Sequence, residues 1–319
     1  MIKDYSVIIP TKDQSIYLED SINSVLNQTI SPREIILIND NSEDDTLQKS
    51  EIIFKNRNFK NFKILNNQVS LGPAKSRNIG IMNNKSEFVA FLDSDDYWEK
   101  TKIEEQFKKF EKPNFLNLGI VYTSHNFLIN NKIRSNFNNS QIAKYRGYLF
   151  YKLLTGNYVS GSCSSVLCKK EVFEICGNFS ENKEDFYIED WELWTRIAKK
   201  FNFDFVDKKL LTIRIHNKNR SSTTSYDIDK ALIKTFTQNK ENRVLTKQAL
   251  KILDDEIFSY NIKSIFFDDF RGKNWMGVTR SAILLSWKYF KTFQFKQLIL
   301  FFKVSIKIFI KKIINKFFN

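Results

Sequence analysis

Residues 5–9 form an apolar run interrupted only by Ser6 and closed by Pro10, which reads as a short buried strand stopped by the proline. Helical spacing follows, with Leu18, Ile22, Val25 and Leu26 recurring three or four residues apart. Residues 34–40 (EIILIND) read as a second apolar strand, 46–56 (TLQKSEIIFKN) as a helix, and 62–65 (FKIL) as a third strand. Gly72-Pro73 opens a helix to Asn84, with the proline in the first turn, where its missing N–H costs nothing. Residues 88–93 (FVAFLD) are the fourth strand. Strands that are apolar throughout and alternate with helices predict an α/β fold. Its sheet is expected to be mostly parallel, doubly wound and covered on both faces.

From 98 to 215 the pattern is mixed. Residues 118–129 (LGIVYTSHNFLI) predict a strand with a hairpin partner. Residues 190–201 (DWELWTRIAKKF) predict a helix with Trp194, Ile197, Ala198 and Phe201 on one face, and 203–206 and 210–216 predict two further strands. From 227 onward the pattern is helical, and no internal repeat or low-complexity linker interrupts the chain. Ligands of open parallel sheets bind beyond the carboxyl ends of the strands. Pro10-Thr11, Asn39-Asp40 and Asp93-Ser94-Asp95 all fall at such ends, so they are expected to converge on one crevice.

Charge adds one element. The chain of 319 residues carries a formal net charge of +14, and residues 271–319 hold eleven Lys or Arg and no Asp or Glu. Lys303, Lys307 and Lys311 repeat every four residues. Lys296 extends this stripe and Lys312 and Lys316 widen it, while Leu298, Phe301, Phe302, Ile306, Phe309, Ile313 and Phe317 fill much of the remainder. That pattern fits a helix lying in an anionic membrane interface; the alternative is a helix packed on the protein with its lysines solvated. No stretch has the roughly 18 uncharged apolar residues of a span, and the N-terminus is too short in apolar residues for a signal peptide. Cys163, Cys168 and Cys176 lack metal-ligand spacing, which fits a reducing compartment. The expected location is cytoplasmic, peripheral at the inner face of the membrane.

Each acidic or basic motif has a chemical reading and a plainer one. In LDSDD (92–96) the carboxylates could share a hard divalent cation, or Asp95 or Asp96 could cap the next helix. Asp40 could accept from a base or ribose, or open an Asx turn. Arg77 suits diphosphate oxygens, or lies on a solvated helix face. Glu189 and Asp190 open a helix, where the dipole alone favours acids, or supply a general base near an acceptor. Arg214 and His216 point to one side of a strand by alternation, ahead of a loop with Lys218 and Arg220 that could close over a diphosphate; the alternative is a surface loop with a solvated His.

The order and spacing of VIIPTKD, the helix ending SVLNQT, ILINDNSEDDT, LGPAKSRNIG, FLDSDDYW and EDWELWTR, over roughly 5–225, resemble family-2 glycosyltransferases of the GT-A fold. The resemblance implies that Pro10, Thr11 and Asp40 hold the nucleobase and ribose, most often uracil, and that Arg77 lies at the nucleotide. It implies that Asp93, Ser94 and Asp95 form the DxD motif, with Asp93 and Asp95 at Mn²⁺ or Mg²⁺ and Asp95 the direct ligand. Asp190 is implied as the catalytic base, and His216 and the loop behind it as contacts to diphosphate or metal, with Arg214 expected among the cofactor-binding residues. Lys12-Asp13 stands where the family usually has Tyr-Asn, and Ser70 where it often has Asn.

The expectation is an inverting, metal-dependent enzyme moving a sugar from a nucleotide-sugar, a UDP-sugar, to a hydroxyl of a glycan or lipid-linked saccharide, with no nucleic-acid partner. Residues 1–97 would be the nucleotide-sugar half, 98–226 the acceptor half with the base, and 227–319 a basic helical extension. A nucleotidyltransferase would need an N-terminal Gly-rich, basic phosphate loop, which IIPTKDQS lacks. A basic membrane- or nucleic-acid-binding protein without turnover is the alternative from another class.

Overall fold

The computed structural model describes residues 3–135, 141–154, 156–182 and 188–216, all within the compact unit of residues 1–222. The expected helices and lysine stripe beyond 227, and the loop with Lys218 and Arg220, lie outside the described residues.

The first half alternates as the pattern predicts. β1 (Tyr5–Thr11), β2 (Glu34–Asn39), β3 (Phe62–Asn66) and β4 (Phe88–Phe91) are separated by α1 (Leu18–Leu26), α2 (Thr46–Asn56) and α3 (Pro73–Asn83). These four strands pair in parallel in the order β3-β2-β1-β4. Every residue of β1, β2 and β4 is buried, which is why their sequences lack alternation. β1 does not stop at Pro10 but pairs on through Thr11, opposite Asn39. The Ile8 carbonyl accepts from the Leu92 N–H on the β4 side. Alternate residues of a strand face the same neighbour, so the Pro10 nitrogen also faces β4, where pairing ends at Ile8–Phe91. The ladder with β2 therefore loses no donor.

α3 lies close on this sheet because residue 80 is glycine: a Cβ there would sit 2.4 Å from Ile8 Cγ2 and 3.1 Å from Ile38 Cδ1.

The second half is mixed. It contains β5 (Tyr97–Trp98), α4 (Lys102–Glu111), β6 (Leu118–Ile129), β7 (Lys132–Arg134), α5 (Phe150–Leu153), α6 (Ser162–Ser165), β8 (Leu167–Lys169), α7 (Glu171–Cys176), α8 (Glu189–Ile197) and β9 (Asn202–Ile215). β8 joins the halves, antiparallel to both β4 and β6. β6 and β9 are parallel, β5 is antiparallel on the outer edge of β9, and β7 forms the expected hairpin with β6. Among the described residues this makes one sheet in the order β3-β2-β1-β4-β8-β6-β9-β5.

The two strands expected over 203–216 are one. Pairing with β6 jumps from Thr123–Val206 to Ser124–Lys209, so exposed Asp207 and Lys208 bulge out while the strand continues. α4 seals one side of the core: Phe107 and Phe110 meet Phe88 edge-on, and Phe107 also meets Tyr5. The three cysteines are free. No helix among the described residues is long and apolar enough to cross a membrane.

Candidate active site

The carboxyl edge of the parallel strands is where the carboxylates gather. The Leu92 N–H makes the last ladder bond of β4, to Ile8, and the chain then turns through Asp93, Ser94, Asp95 and Asp96. The Asp93 N–H donates to Ser164 Oγ (3.0 Å), and that hydroxyl donates to Asp96 Oδ2 (2.8 Å). Asp96 Oδ1 accepts from the Arg214 N–H (3.2 Å), and Asp95 Oδ2 lies 3.0 Å from His216 Nε2. Ser94 is buried. Burial pushes the Asp95 carboxyl up, the Asp93 charge adds to that, and His216 opposes it. Burial, with Asp95 and Asp93 as like charges, pushes Asp96 well above the usual carboxylate range. Neither Asp95 nor Asp96 caps a helix: β5 intervenes, and α4 starts only after Thr101.

Arg77 joins this loop to the acidic start of α8. Its side chain is 2% exposed, with NH2 2.5 Å from Asp93 Oδ1 and NH1 3.3 Å from Glu189 Oε1. Burial works against the cation, but the groups facing it, Asp93 foremost, more than offset it. The solvated-face alternative for Arg77 is thereby excluded, and its guanidinium is committed to two carboxylates. Glu189 is equally buried. Its neighbour Asp190 is only half-buried and accepts at Oδ2 from Ser162 Oγ (2.7 Å) and Asn157 Nδ2 (3.2 Å), and at Oδ1 from the Trp191 N–H (2.7 Å).

At the end of β1, Thr11 is 3% exposed and its Oγ1 has no partner among the described residues, an orphaned hydroxyl beside buried Pro10. Asp40, one residue past β2, is occupied differently. Its carboxylate accepts from the Leu71 N–H (2.7 Å), Asn67 Nδ2 (2.8 Å), the Gly72 N–H (2.9 Å) and Ser70 Oγ (2.9 Å). Burial works to raise this carboxyl, and those donors outweigh it and hold it below its ordinary value. Asp40 thus fixes the turn between β3 and α3 rather than a turn of its own, and Ser70 is one of its donors.

Arg214 and His216 both reach the acidic loop from β9, as strand alternation predicts. Arg214 Nε donates to the Asp95 carbonyl (3.1 Å) and its NH2 to Asp20 (2.8 Å), with the guanidinium 4.7 Å over the Tyr17 ring. His216 stacks on the same ring at 4.8 Å. Tyr17, residues 128–131, Arg214, Ile215 and His216 line a cavity of about 450 Å³. The solvated-His alternative does not hold, since His216 is paired and largely buried.

Residues 6–175, more than half of the chain, match the family described as Glycosyl transferase family 2. The chain belongs to this family. An uncharacterized glycosyltransferase of Rickettsia conorii is 31% identical over 281 residues, covering 82% of this chain and 43% of the relative. The chain spans less than half the length of the Rickettsia relatives it matches. The UDP-Glc:alpha-D-GlcNAc-diphosphoundecaprenol beta-1,3-glucosyltransferase WfgD of Escherichia coli is 29% identical over 202 residues, 63% of this chain and 72% of that one. Among solved structures, S. aureus TarS in complex with UDP-GlcNAc superposes with a TM-score of 0.62 at 19% identity, covering 84% of this chain and 74% of that one. The mannosyltransferase PcManGT of Pyrobaculum calidifontis, in complex with GDP-Man and Mn²⁺, gives 0.59 at 14%, covering 80% and 69%. The family-2 member therefore has the expected GT-A architecture.

The acidic loop fits a hard divalent cation. Its donors are carboxylate oxygens with one imidazole, set close enough together that the Asp93 charge adds to burial in raising the Asp95 carboxyl. No cluster of three or more His, Cys, Asp or Glu arranged around one point occurs among the described residues. A cation that keeps several waters and completes its shell with substrate phosphates needs only one or two protein carboxylates.

Asp96, Ser162, Ser164, Asn157 and Tyr17 belong to the site although the motifs do not single them out. Asp96 carried a signal, as the third acid of LDSDD. The two serines and Asn157 carried none, because their roles arise from contacts with residues 28 to 71 positions away.

Proposed function

We propose that the chain is an inverting, metal-dependent glycosyltransferase that moves a sugar from a UDP-sugar to a hydroxyl of a glycan or lipid-linked saccharide. The observation that carries this reading is the link between the two acidic centres. Ser162 and Ser164, two residues apart on α6, bond Asp190 on one side and the Asp93–Asp96 loop on the other. Arg77 adds a second link, from Asp93 to Glu189, the residue before Asp190. A donor diphosphate at the loop would then present its anomeric carbon toward Asp190.

Asp190 suits the base. Its Oδ1 accepts one hydrogen bond and has capacity for a second, from an acceptor hydroxyl, while its other oxygen is held by two donors. A single base opposite the leaving group gives one displacement and inverts the configuration. Asp93 and Asp95, with His216, would hold the cation, which supplies charge stabilisation to the departing diphosphate. Thr11, with its orphaned hydroxyl, is the candidate donor-site contact at β1, and Asp40 acts there through the 67–72 turn it organises. Residues 1–97 would serve the donor and 98–226 the acceptor. The relative that acts on a diphosphoundecaprenol-linked sugar, and the neighbour complexed with UDP-GlcNAc, support the choice of donor and acceptor classes. The lysine stripe at 296–316 supports peripheral attachment to an anionic leaflet on the cytoplasmic side, each lysine adding about 1 kcal/mol.

The test is turnover of UDP-glucose, UDP-GlcNAc and GDP-mannose with Mn²⁺ or chelator, with Asp190→Asn and Glu189→Gln alongside. We expect metal-dependent hydrolysis of a UDP-sugar. Asp190→Asn should retain donor affinity and lose about two orders of magnitude or more in rate. Full activity in chelator sinks the metal reading. An inactive Glu189→Gln beside an active Asp190→Asn reassigns the base.

A further inference from the structure

We propose that Ser162 is a positioning residue for the base, and that α6 is built to aim its hydroxyl at Asp190. The inference rests on the reading of Asp190 as the base.

The backbone before α6 is bent in an unusual way. Gly161 (φ 77) and Ser162 (φ 52) are both left-handed, and only the first is glycine. A Cβ at 161 would lie 2.8 Å from both Leu211 Cδ2 and Ser165 Cβ, so the bend is closely packed. A serine at positive φ persists only where its surroundings over-determine it, and such residues gather at functional sites. The surroundings here do so. Trp98 Nε1 donates to the Ser164 carbonyl (2.8 Å), Gln106 Nε2 to the Ser165 carbonyl (2.9 Å), and Ser160 Oγ lies 2.9 Å from buried His125 Nδ1. The product of that bend is the 2.7 Å bond from Ser162 Oγ to Asp190 Oδ2.

The bond fixes which oxygen works. With Ser162 and Asn157 on Oδ2, the carboxylate cannot rotate freely, and Oδ1, which accepts from the Trp191 N–H, is the oxygen that keeps capacity for an acceptor hydroxyl. Ser164, two residues on, sets the Asp93–Asp96 loop from the same rigid turn, so base and donor site keep one spacing. A base misaimed by an ångström loses rate without losing donor affinity.

Ser162→Gly separates this role from a structural one, because glycine accepts φ 52 without strain and removes the hydroxymethyl group while leaving the backbone its conformation. The full chain is assayed with UDP-GlcNAc and UDP-glucose, water serving as acceptor, and donor affinity is measured by calorimetry. We expect Ser162→Gly to melt at or above the wild-type temperature, to keep donor KM within about twofold, and to lose about ten- to a hundredfold in kcat. Ser162→Asn, which tolerates positive φ and restores a donor, should recover part of the loss. Combined with Asp190→Asn, Ser162→Gly should cost nothing further, since the two act as a unit. Wild-type kcat in Ser162→Gly beside an inactive Asp190→Asn overturns this proposal alone. So does a kcat loss matched by lost donor affinity or lost stability. An active Asp190→Asn, or a wild-type chain that turns over neither donor, overturns the parent reading and this one together.

Discussion

Mild acid should destabilise this protein through His125 more than through any exposed group. The ring is 2% exposed on β6, with Nδ1 at Ser160, an edge against Phe127 at 4.8 Å, and no partner for Nε2 among the described residues. Burial, with a smaller push from the Lys209 charge, lowers its pKa from 6.5 to about 4. The unfolded chain takes up the proton near the ordinary value, the folded one only near 4. Between those values the unfolded state binds more protons, so stability falls as pH falls, with no further change below the folded value. At about 1.36 kcal/mol per pH unit the whole interval is worth about 3 kcal/mol, of which about 2 falls between pH 7 and pH 5. Burial of the ring means solvent screening does not reduce this. His125→Gln keeps a polar group near Ser160 and does not titrate. Urea unfolding of both proteins at pH 7 and pH 5 isolates the effect, because His216 and the carboxylates are common to both. The wild type should lose about 2 kcal/mol more than the variant over that interval. Equal losses within about 0.5 kcal/mol would refute the reasoning.

Two stability predictions concern the frame of the site. Arg77→Met leaves Glu189 buried without its cation and should cost about 3–5 kcal/mol in chemical denaturation, most of it regained when Glu189→Gln is added; a double variant less stable than Arg77→Met alone contradicts this. Gly80→Ala gains about 1 kcal/mol of helix propensity but drives a methyl into Ile8, a net loss that should disappear in an Ile8→Ala background. Additive losses in that cycle would show that α3 does not approach β1 through residue 80.

The parallel half was legible because β1, β2 and β4 are buried on both faces, and a short uninterrupted apolar run between two helices fits a doubly covered strand and little else. Pro10 misled about the end of β1, since sequence does not say which neighbour a strand nitrogen faces. Asp207-Lys208 misled about β9, because a bulge and a turn both begin with exposed charges. β5 and β8 are two and three residues long, below any periodicity. α4 was not read, although Ile103, Phe107 and Phe110 lie four and three residues apart and are all buried. Of the site, the residues at strand ends were legible because the end of a parallel strand is a predictable place. Arg77 was visible as a residue but not as a bridge, since its partners lie 16 and 112 positions away. Ser162 and Ser164 were invisible: a lone serine has no pattern until the fold gives it a neighbour.

The four bonds that Asp40 accepts from 67–72 have a consequence for transplanting segments between relatives. That turn is short and leads directly into α3 through Gly72, so it looks like a self-contained cassette. It is not one, because its conformation is dictated by a carboxylate from a different strand. A donor segment copied without its own residue 40 would arrive folded for another anchor, and the misfit would pass through Pro73 to Arg77 and the acidic loop. Residue 40 and 67–72 form one structural unit split in the sequence, and successful chimaeras will be those that move both pieces together.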